Sequence, residues 1–223
     1  MKSMDLFWEA LYDYHKWKQK SHFYLIDKDW EKYEHDLSSY FRDWEWFNDI
    51  EKMLFDNLKW EKLLDIWCAT AYYFPILENK IKNVEWIDIS SKVIKIAHEK
   101  WHKNTRVLDI MNENINKKYD IITLMWNNLS IWWDIEWTII LISKLKELLI
   151  KNWKILLIYK KEEDEKDYFI WEFKCEYNNQ ISESFKWIRI NLKYLEKLLS
   201  IQWLKLKVLL ESDCWSCLEI KHI

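Results

Sequence analysis

The sequence predicts an α/β fold: a seven-stranded, mostly parallel sheet with one antiparallel strand and helices on both faces, plus an N-terminal cap and a β-hairpin insertion. Three observations carry this. From about residue 60, short apolar runs alternate with amphipathic stretches over short connections, the pattern of a parallel sheet covered on both sides. The first run, Leu63-Leu64-Asp65-Ile66, reads as a buried strand that stops at small residues, Cys68-Ala69-Thr70-Ala71. The last two runs are separated only by the turn Ser212–Ser216, which makes them antiparallel neighbours.

Taken in order, residues 1–57 form the cap: a helix in LFWEALYDYHKW ending at Trp17, a hairpin turning at Asp29-Trp30, and a helix in WFNDIEKMLFDNL. Residues 58–223 form the main domain. Strands are expected at 62–66, 84–88, 106–108, 121–125, 155–159, 205–210 and 218–220, and helices at 72–79, 91–99, 135–149 and 192–200. Residues 160–191 are an insertion: the solvated charge run KKEEDEKD, then two strand-like runs around Asn178-Asn179 that read as a hairpin lid. No internal repeat is present.

Length and composition narrow the function classes. A chain of 223 residues can build one proper core. The net charge of −3 argues against a general nucleic-acid binder, which needs a basic face. MKSMDLFWEA has no signal-peptide pattern, and no apolar run approaches the ~20 residues of a membrane span, so a cytoplasmic protein without membrane or nucleic-acid partners is expected. Four cysteines suggest no disulfide framework. Cys214 and Cys217 make a single C-x-x-C, which without a second pair reads as structural, and no metal site is expected.

The chain has 18 tryptophans and no glycine, where ordinary usage of about 7% would give roughly 16 glycines. The tryptophans stand where glycine is the natural residue: Trp30 in the turn KDWE, Trp153 in KNWK and Trp203 in IQWLK, both between a helix and a strand. Alanine, proline and arginine are scarce while lysine, isoleucine and asparagine abound, the bias of an AT-rich gene. The reading adopted is a glycine codon of the source, UGA, translated as tryptophan. A truly glycine-free chain and deliberate replacement of every glycine would carry the same signature.

With Trp67 read as glycine, residues 63–73 become LLDIGCATAYY. This resembles the first motif of the class I S-adenosyl-L-methionine (SAM) dependent methyltransferases, whose seven-stranded sheet is Rossmann-like. Asp65, Trp67, Ala69 and Ala71 match the D-x-G-x-G-x-G loop that supports the methionine part of SAM, with Cys68 inside it. In VEWIDIS, Asp88, followed by Ile89, matches the acid on the ribose hydroxyls. Asp109 in RVLDIMN stands where the family places an acid on the adenine amino group, with Ile110 N–H on the ring. Met125, Trp126, Asn127 and Asn128 end the fourth strand, where methyl transfer occurs in this fold. The N-P-P-Y type signature of nucleic-acid amino methylation is absent there. The wider layout resembles an uncharacterised bacterial group of this class.

The resemblance implies SAM as cofactor and a small-molecule acceptor. The sulfonium is already an activated methyl donor, so alignment supplies much of the acceleration and a base is needed only for a protonated acceptor. His15 is the expected base and Asn127 sits at the transfer point. Tyr14, Asn128, Tyr177 and Arg189 are expected at substrate. Two other readings stay open: a SAM-binding module without catalysis, and an NAD(P)-dependent Rossmann oxidoreductase. Against the latter, a G-x-G-x-x-G loop would require a small residue at Tyr72.

Overall fold

The computed structural model describes residues 4–59, 62–131, 134–161 and 166–223. Residues 162–165 of the expected charge run, Trp60, and the tryptophans at 132 and 133 lie outside them. The cap holds α1 (Asp5–His15), the hairpin β1 (Tyr24–Asp27) and β2 (Lys32–Glu34), and α2 (Asp49–Asp56). Then follow β3 (Lys62–Ile66), α3 (Phe74–Lys80), β4 (Asn83–Asp88), α4 (Ser91–Glu99), β5 (Thr105–Val107), β6 (Tyr119–Leu124), α5 (Ile135–Glu147) and β7 (Leu149–Lys160). The insertion forms β8 (Tyr168–Tyr177), β9 (Gln180–Ile181) and β10 (Phe185–Ile190). The chain closes with α6 (Leu192–Ile201), β11 (Leu204–Glu211) and β12 (Trp215–His222).

The main sheet has the order β11-β12-β7-β6-β3-β4-β5. As expected, β3 is central and parallel to both β4 and β6, while β12 runs antiparallel to β7 and β11. Successive residues of β3 point to opposite faces, as a pleated strand requires. Leu64 and Ile66 join the core with Leu141 and Leu145 of α5, whereas Leu63 joins Phe74 and Leu77 of α3 on the other face. Each such buried side chain stabilises the fold by about 1.5–3 kcal/mol. Trp153, expected in a helix–strand connection, instead lies buried within β7, because that strand starts earlier than its apolar run suggests.

The cap hairpin and the insertion are not separate units. β1 pairs with β2 on one side and with β8 on the other, β8 also pairs with β10 and β9, and all pairings are antiparallel. Leu6, Ala10 and Leu11 of α1 pack with Phe23, Cys175, and Val93 and Ile96 of α4, which ties this second sheet to the main domain.

The helix ends bear on the tryptophan question. α1 and α4 each stop in a Schellman motif. Trp17 N–H donates to Tyr14 O and Lys18 N–H to Asp13 O; Trp101 N–H donates to His98 O and His102 N–H to Ala97 O. The residue after each cap is in the left-handed region, with φ 56° at Trp17 and 70° at Trp101. Trp203 follows α6 in the same way at φ 61°, and Trp30 turns the β1–β2 hairpin at φ 65°. An L-residue with a Cβ is disfavoured there by about 1–2 kcal/mol, which is why glycine dominates such positions.

Candidate active site

Ligands of open α/β sheets bind outside the carboxyl ends of the strands, and here the ends of β3, β4 and β6 meet. The loop leaving β3 has φ 57° at Trp67, 48° at Ala69 and 65° at Ala71, the three alternate positions at which the sequence placed small residues. Trp67 and Cys68 N–H groups donate to Ile87 O, and Ala69 N–H donates to Asp88 Oδ2 over 3.1 Å. Asp88 thus ends β4 with one oxygen on the loop and the other accepting from Ser90 N–H at 2.9 Å, beside the start of α4. Burial pushes its carboxyl up to about 6 against the lowering effect of these backbone N–H groups. Ile89 beside it is exposed.

Asp65 plays a different part. It is fully buried, accepting from Thr123 Oγ1 of β6 at 2.5 Å and from the Tyr73 hydroxyl at 2.6 Å. It therefore braces the loop. Burial pushes it up to about 7, against those two hydrogen bonds and with a small rise from Asp88. The folded chain then holds a proton that the unfolded chain sheds between 3.8 and about 7. Stability from this group is full at low pH and lost as pH rises through that window, by at most about 1.4 kcal/mol per pH unit. Asp88 acts in the same direction up to about 6. Asp65→Asn is expected to flatten the decline between about pH 4 and 7 in urea unfolding; an unchanged slope would refute the assignment.

At the end of β6, Trp126 (φ 47°) and Asn127 (φ 66°) are left-handed in succession. Asn127 N–H donates to Ile158 O of β7, while its Oδ1 accepts from Ser130 Oγ and Lys160 N–H. Asn128 Nδ2 donates to Ile66 O and Trp67 O, so it clamps the β3 loop to the β6 loop. Met125 is buried in the core. Asp109 closes a local turn, accepting from Met111 N–H and Asn112 Nδ2, and Ile110 is buried with its carbonyl on Lys144 Nζ.

Between these strand ends and the antiparallel sheet lies a cavity of about 680 Å³. Tyr72, Trp126 and Asn127 line it from the main sheet, Trp171, Phe173, Trp187 and Arg189 from the insertion. His35, Tyr40 and Arg42 line it from the cap. Arg42 donates to the fully buried Glu51 at 2.9 Å, Glu51 accepts from the Tyr72 hydroxyl at 3.1 Å, and Tyr72 accepts from Trp126 Nε1. Burial raises the Glu51 carboxyl above its ordinary value, with Asn48 N–H and Arg42 opposing. His35 Nε2 is 3.1 Å from the Tyr40 hydroxyl, and burial lowers the imidazole below its ordinary 6.5, so it is neutral at pH 7. A larger concavity of about 750 Å³ lies at the opposite, N-terminal ends of β3 and β4, away from this chemistry.

Of the substrate residues expected from sequence, Asn127 and Arg189 line the cavity. His15 does not: its Nε2 is 2.9 Å from Glu99, and its ring and that of Tyr14 stack on Phe41. Tyr177 is buried, donating to Asp13 and accepting from Lys20 N–H. Asn128 is spent on its clamp. These polar groups near the cap had helical or strand spacing that sequence could not orient. His35, Tyr40 and Arg42 were missed because the turn holding them has no periodicity. The available signal was Arg42 itself, one of only three arginines in the chain.

No family model matches this sequence, and no curated protein matches it. Its fold does have solved counterparts. A SAM-dependent methyltransferase from Bacteroides fragilis, solved with S-adenosyl-L-homocysteine, superimposes with TM-score 0.86 at 18% identity, covering 100% of this chain and 96% of that one. The chain has the fold of the SAM-dependent methyltransferases. A second such enzyme, from Clostridium acetobutylicum, gives TM-score 0.59 at 18% identity over 78% of this chain and 88% of that one. An amino pentose methyltransferase from Micromonospora echinaspora, solved with SAM, gives 0.57 at 8% identity over 78% and 88%. Relative to a glycine loop of this methyltransferase fold, the buried Asp88 and the left-handed backbone at 67, 69 and 71 suit SAM, and the Trp67 indole is the group such a loop would lack. Among the described residues no helix is long and apolar enough to cross a membrane, and no group of three or more His, Cys, Asp or Glu could hold a metal ion.

Proposed function

We propose that this chain is a SAM-dependent methyltransferase acting on a small-molecule acceptor in a reducing cytoplasm. The observation that carries it is the convergence of Asp88 and the left-handed β3 loop, next to a cavity at the end of β6 that the cap and the insertion also line. SAM, when bound, supplies an activated methyl group. Asp88 would accept from the ribose hydroxyls and the loop backbone at 67–71 would support the methionine end, while the antiparallel sheet covers one side of the cavity. Asn127 and Tyr72 line the side of the cavity nearest the strand ends and orient the acceptor. Titration calorimetry with S-adenosyl-L-homocysteine, on the chain with glycine at positions 17, 30, 67, 101, 126 and 203, tests the reading; preferential binding of NAD would sink it.

The His35–Tyr40 pair takes the acceptor's proton, replacing His15 in that role. General-base assistance is worth about 10²–10⁴-fold. His35→Gln is expected to lower kcat by that order and leave the affinity for S-adenosyl-L-homocysteine unchanged. Because burial lowers the imidazole pKa, the acid limb of kcat/KM should fall below pH 6.5 and vanish in the variant. A wild-type limb that persists in His35→Gln would exclude this base.

We infer further that the tryptophans stand at glycine positions through a recoded codon. Among the described residues, six of them, at 17, 30, 67, 101, 126 and 203, have positive φ, a region otherwise held by two alanines and three asparagines. Trp86 supports the same reading from within the core: its Nε1 is buried without a hydrogen-bond partner. The codons beneath these positions in the gene decide it.

A further inference from the structure

The Trp126 indole stands in the cavity over the β6 end and finds a complementary set of contacts there. Its Nε1–H donates to the Tyr72 hydroxyl. Its ring centre lies 5.4 Å from the Arg42 guanidinium, and Trp215 meets it edge-on at 5.0 Å. Yet its backbone is left-handed, with φ 47°, where any side chain is disfavoured and glycine is at home. A side chain that its own backbone disfavours thus fills a place whose walls receive it well. With glycine at 126 the Tyr72 and Arg42 walls stay and the place between them opens.

Glu51 decides what those walls ask of an occupant. It is fully buried, and Arg42 Nη2 at 2.9 Å, Arg42 Nη1 at 3.4 Å and Asn48 N–H at 3.0 Å all donate to it. Guanidinium and amide N–H groups cannot accept, so they hold Glu51 as an ionised acceptor. The Tyr72 hydroxyl, 3.1 Å from Glu51 Oε1, therefore spends its one hydrogen there. Burial beside that carboxylate holds the phenol well above its ordinary 10, so the hydrogen stays on it. A hydroxyl oxygen has two lone pairs. Arg42 Nη2 reaches Tyr72 Oη at 3.4 Å, and Trp126 Nε1 takes the other direction. Toward the cavity Tyr72 is an acceptor only, and whatever replaces the indole must bring a donor. Arg42 adds a second demand. Held by Glu51 and 5.3 Å from the Tyr72 ring centre, its guanidinium is a fixed plane on which a flat ring stacks.

We propose that the methyl acceptor is a planar aromatic molecule with an N–H or O–H donor on its edge, seated where the Trp126 indole lies. Its donor meets the Tyr72 hydroxyl and its face meets Arg42. This deepens the methyltransferase reading and rests on it for the word acceptor. Tyr72 directly follows the left-handed loop and Asn127 directly follows position 126, so the seat joins the cofactor loop to the end of β6. Glu51 acts through Tyr72 and is a positioning residue.

The test uses the full chain with glycine at 17, 30, 67, 101, 126 and 203, beside the chain as written, titrated calorimetrically with two pairs of similarly shaped probes. Indole and benzofuran differ by an N–H, and 4-methylphenol and 4-fluorotoluene by an O–H. In the glycine chain the donor of at least one pair is expected to bind about tenfold tighter than its partner. The pair with the larger ratio tells nitrogen from oxygen. Tyr72→Phe should bring that ratio to about one. Both probes of a pair meet the same variant, so a general loss of stability does not move the ratio. Saturating S-adenosyl-L-homocysteine should leave probe affinity within about twofold, as two adjoining but separate sites require. The chain as written, with its seat filled, should bind the probes at least about tenfold more weakly. The proposal is overturned if no probe binds the glycine chain, if neither pair is discriminated, or if the ratio survives Tyr72→Phe. It is equally overturned if S-adenosyl-L-homocysteine displaces the probes or if the chain as written binds them as well. A Tyr72-dependent ratio without any binding of S-adenosyl-L-homocysteine would retain the seat and remove the methyltransferase reading.

Discussion

A chain with glycine at the six left-handed tryptophan positions, 17, 30, 67, 101, 126 and 203, is expected to be more stable than the chain as written and to bind S-adenosyl-L-homocysteine where the written chain binds it weakly or not at all. The six left-handed tryptophans each carry about 1–2 kcal/mol of backbone strain that glycine removes. Glycine's greater freedom in the unfolded chain returns about 0.4–1 kcal/mol per site. The net gain over six sites is about 3–6 kcal/mol, a large part of the 5–15 kcal/mol that stabilises a typical domain. For a chain of this size that corresponds to a melting temperature higher by about 10 °C or more. Binding should respond most to two of the six. Trp67 begins the loop that supports the cofactor, and Trp126 ends β6 with its indole on Tyr72. An indole in place of hydrogen exceeds the overpacking that close-packed sites absorb at about 1–3 kcal/mol. Thermal unfolding and calorimetry of the two chains side by side make the comparison, with the variant changed only at 67 and 126 separating binding from general stability. Equal stability and equal affinity in the chain as written would end the recoding argument and take the first motif with it.

Asp88→Ala is expected to weaken S-adenosyl-L-homocysteine by about 1.5–3 kcal/mol, roughly 10- to 200-fold, because it removes charge-assisted hydrogen bonds to the ribose. The change also frees Ala69 and Ser90 N–H groups that Asp88 holds, so Asp88→Asn is the companion variant that keeps the shape and loses the charge. The pH dependence has a definite sign. Burial pushes Asp88 up to about 6, and the ribose hydroxyls donate, so they favour the ionised carboxylate. Affinity in the glycine chain should therefore rise with pH through about 6 and level off above it. Asp88→Asn should remove that rise. Affinity independent of pH between 5 and 8, or an Asp88→Ala variant that binds normally, would place the ribose elsewhere.

The order of the main-sheet elements was legible in the sequence because each strand of a doubly covered parallel sheet is a short, nearly continuous apolar run. The Lys62–Ile66 strand carries that signal so strongly that its bounds needed no correction, and the same holds for the Ser91–Glu99 helix with Ser90 as its cap. Left-handed backbone was legible too, through the unusual device of tryptophan at turns and helix ends. Only the tertiary structure decided what roofs the site. The pairing of Tyr24–Asp27 with Phe173–Glu176 joins segments about 150 residues apart, and no local periodicity encodes which edge strand meets which. That pairing brings Arg189 and Phe173 over the cavity and His35 into it, while α1 turns Tyr14 and His15 onto Phe41 and Glu99. Local pattern determines which face of a strand is buried. Which polar side chains share a cavity depends on long-range packing of segments whose own sequences carry no record of their partners.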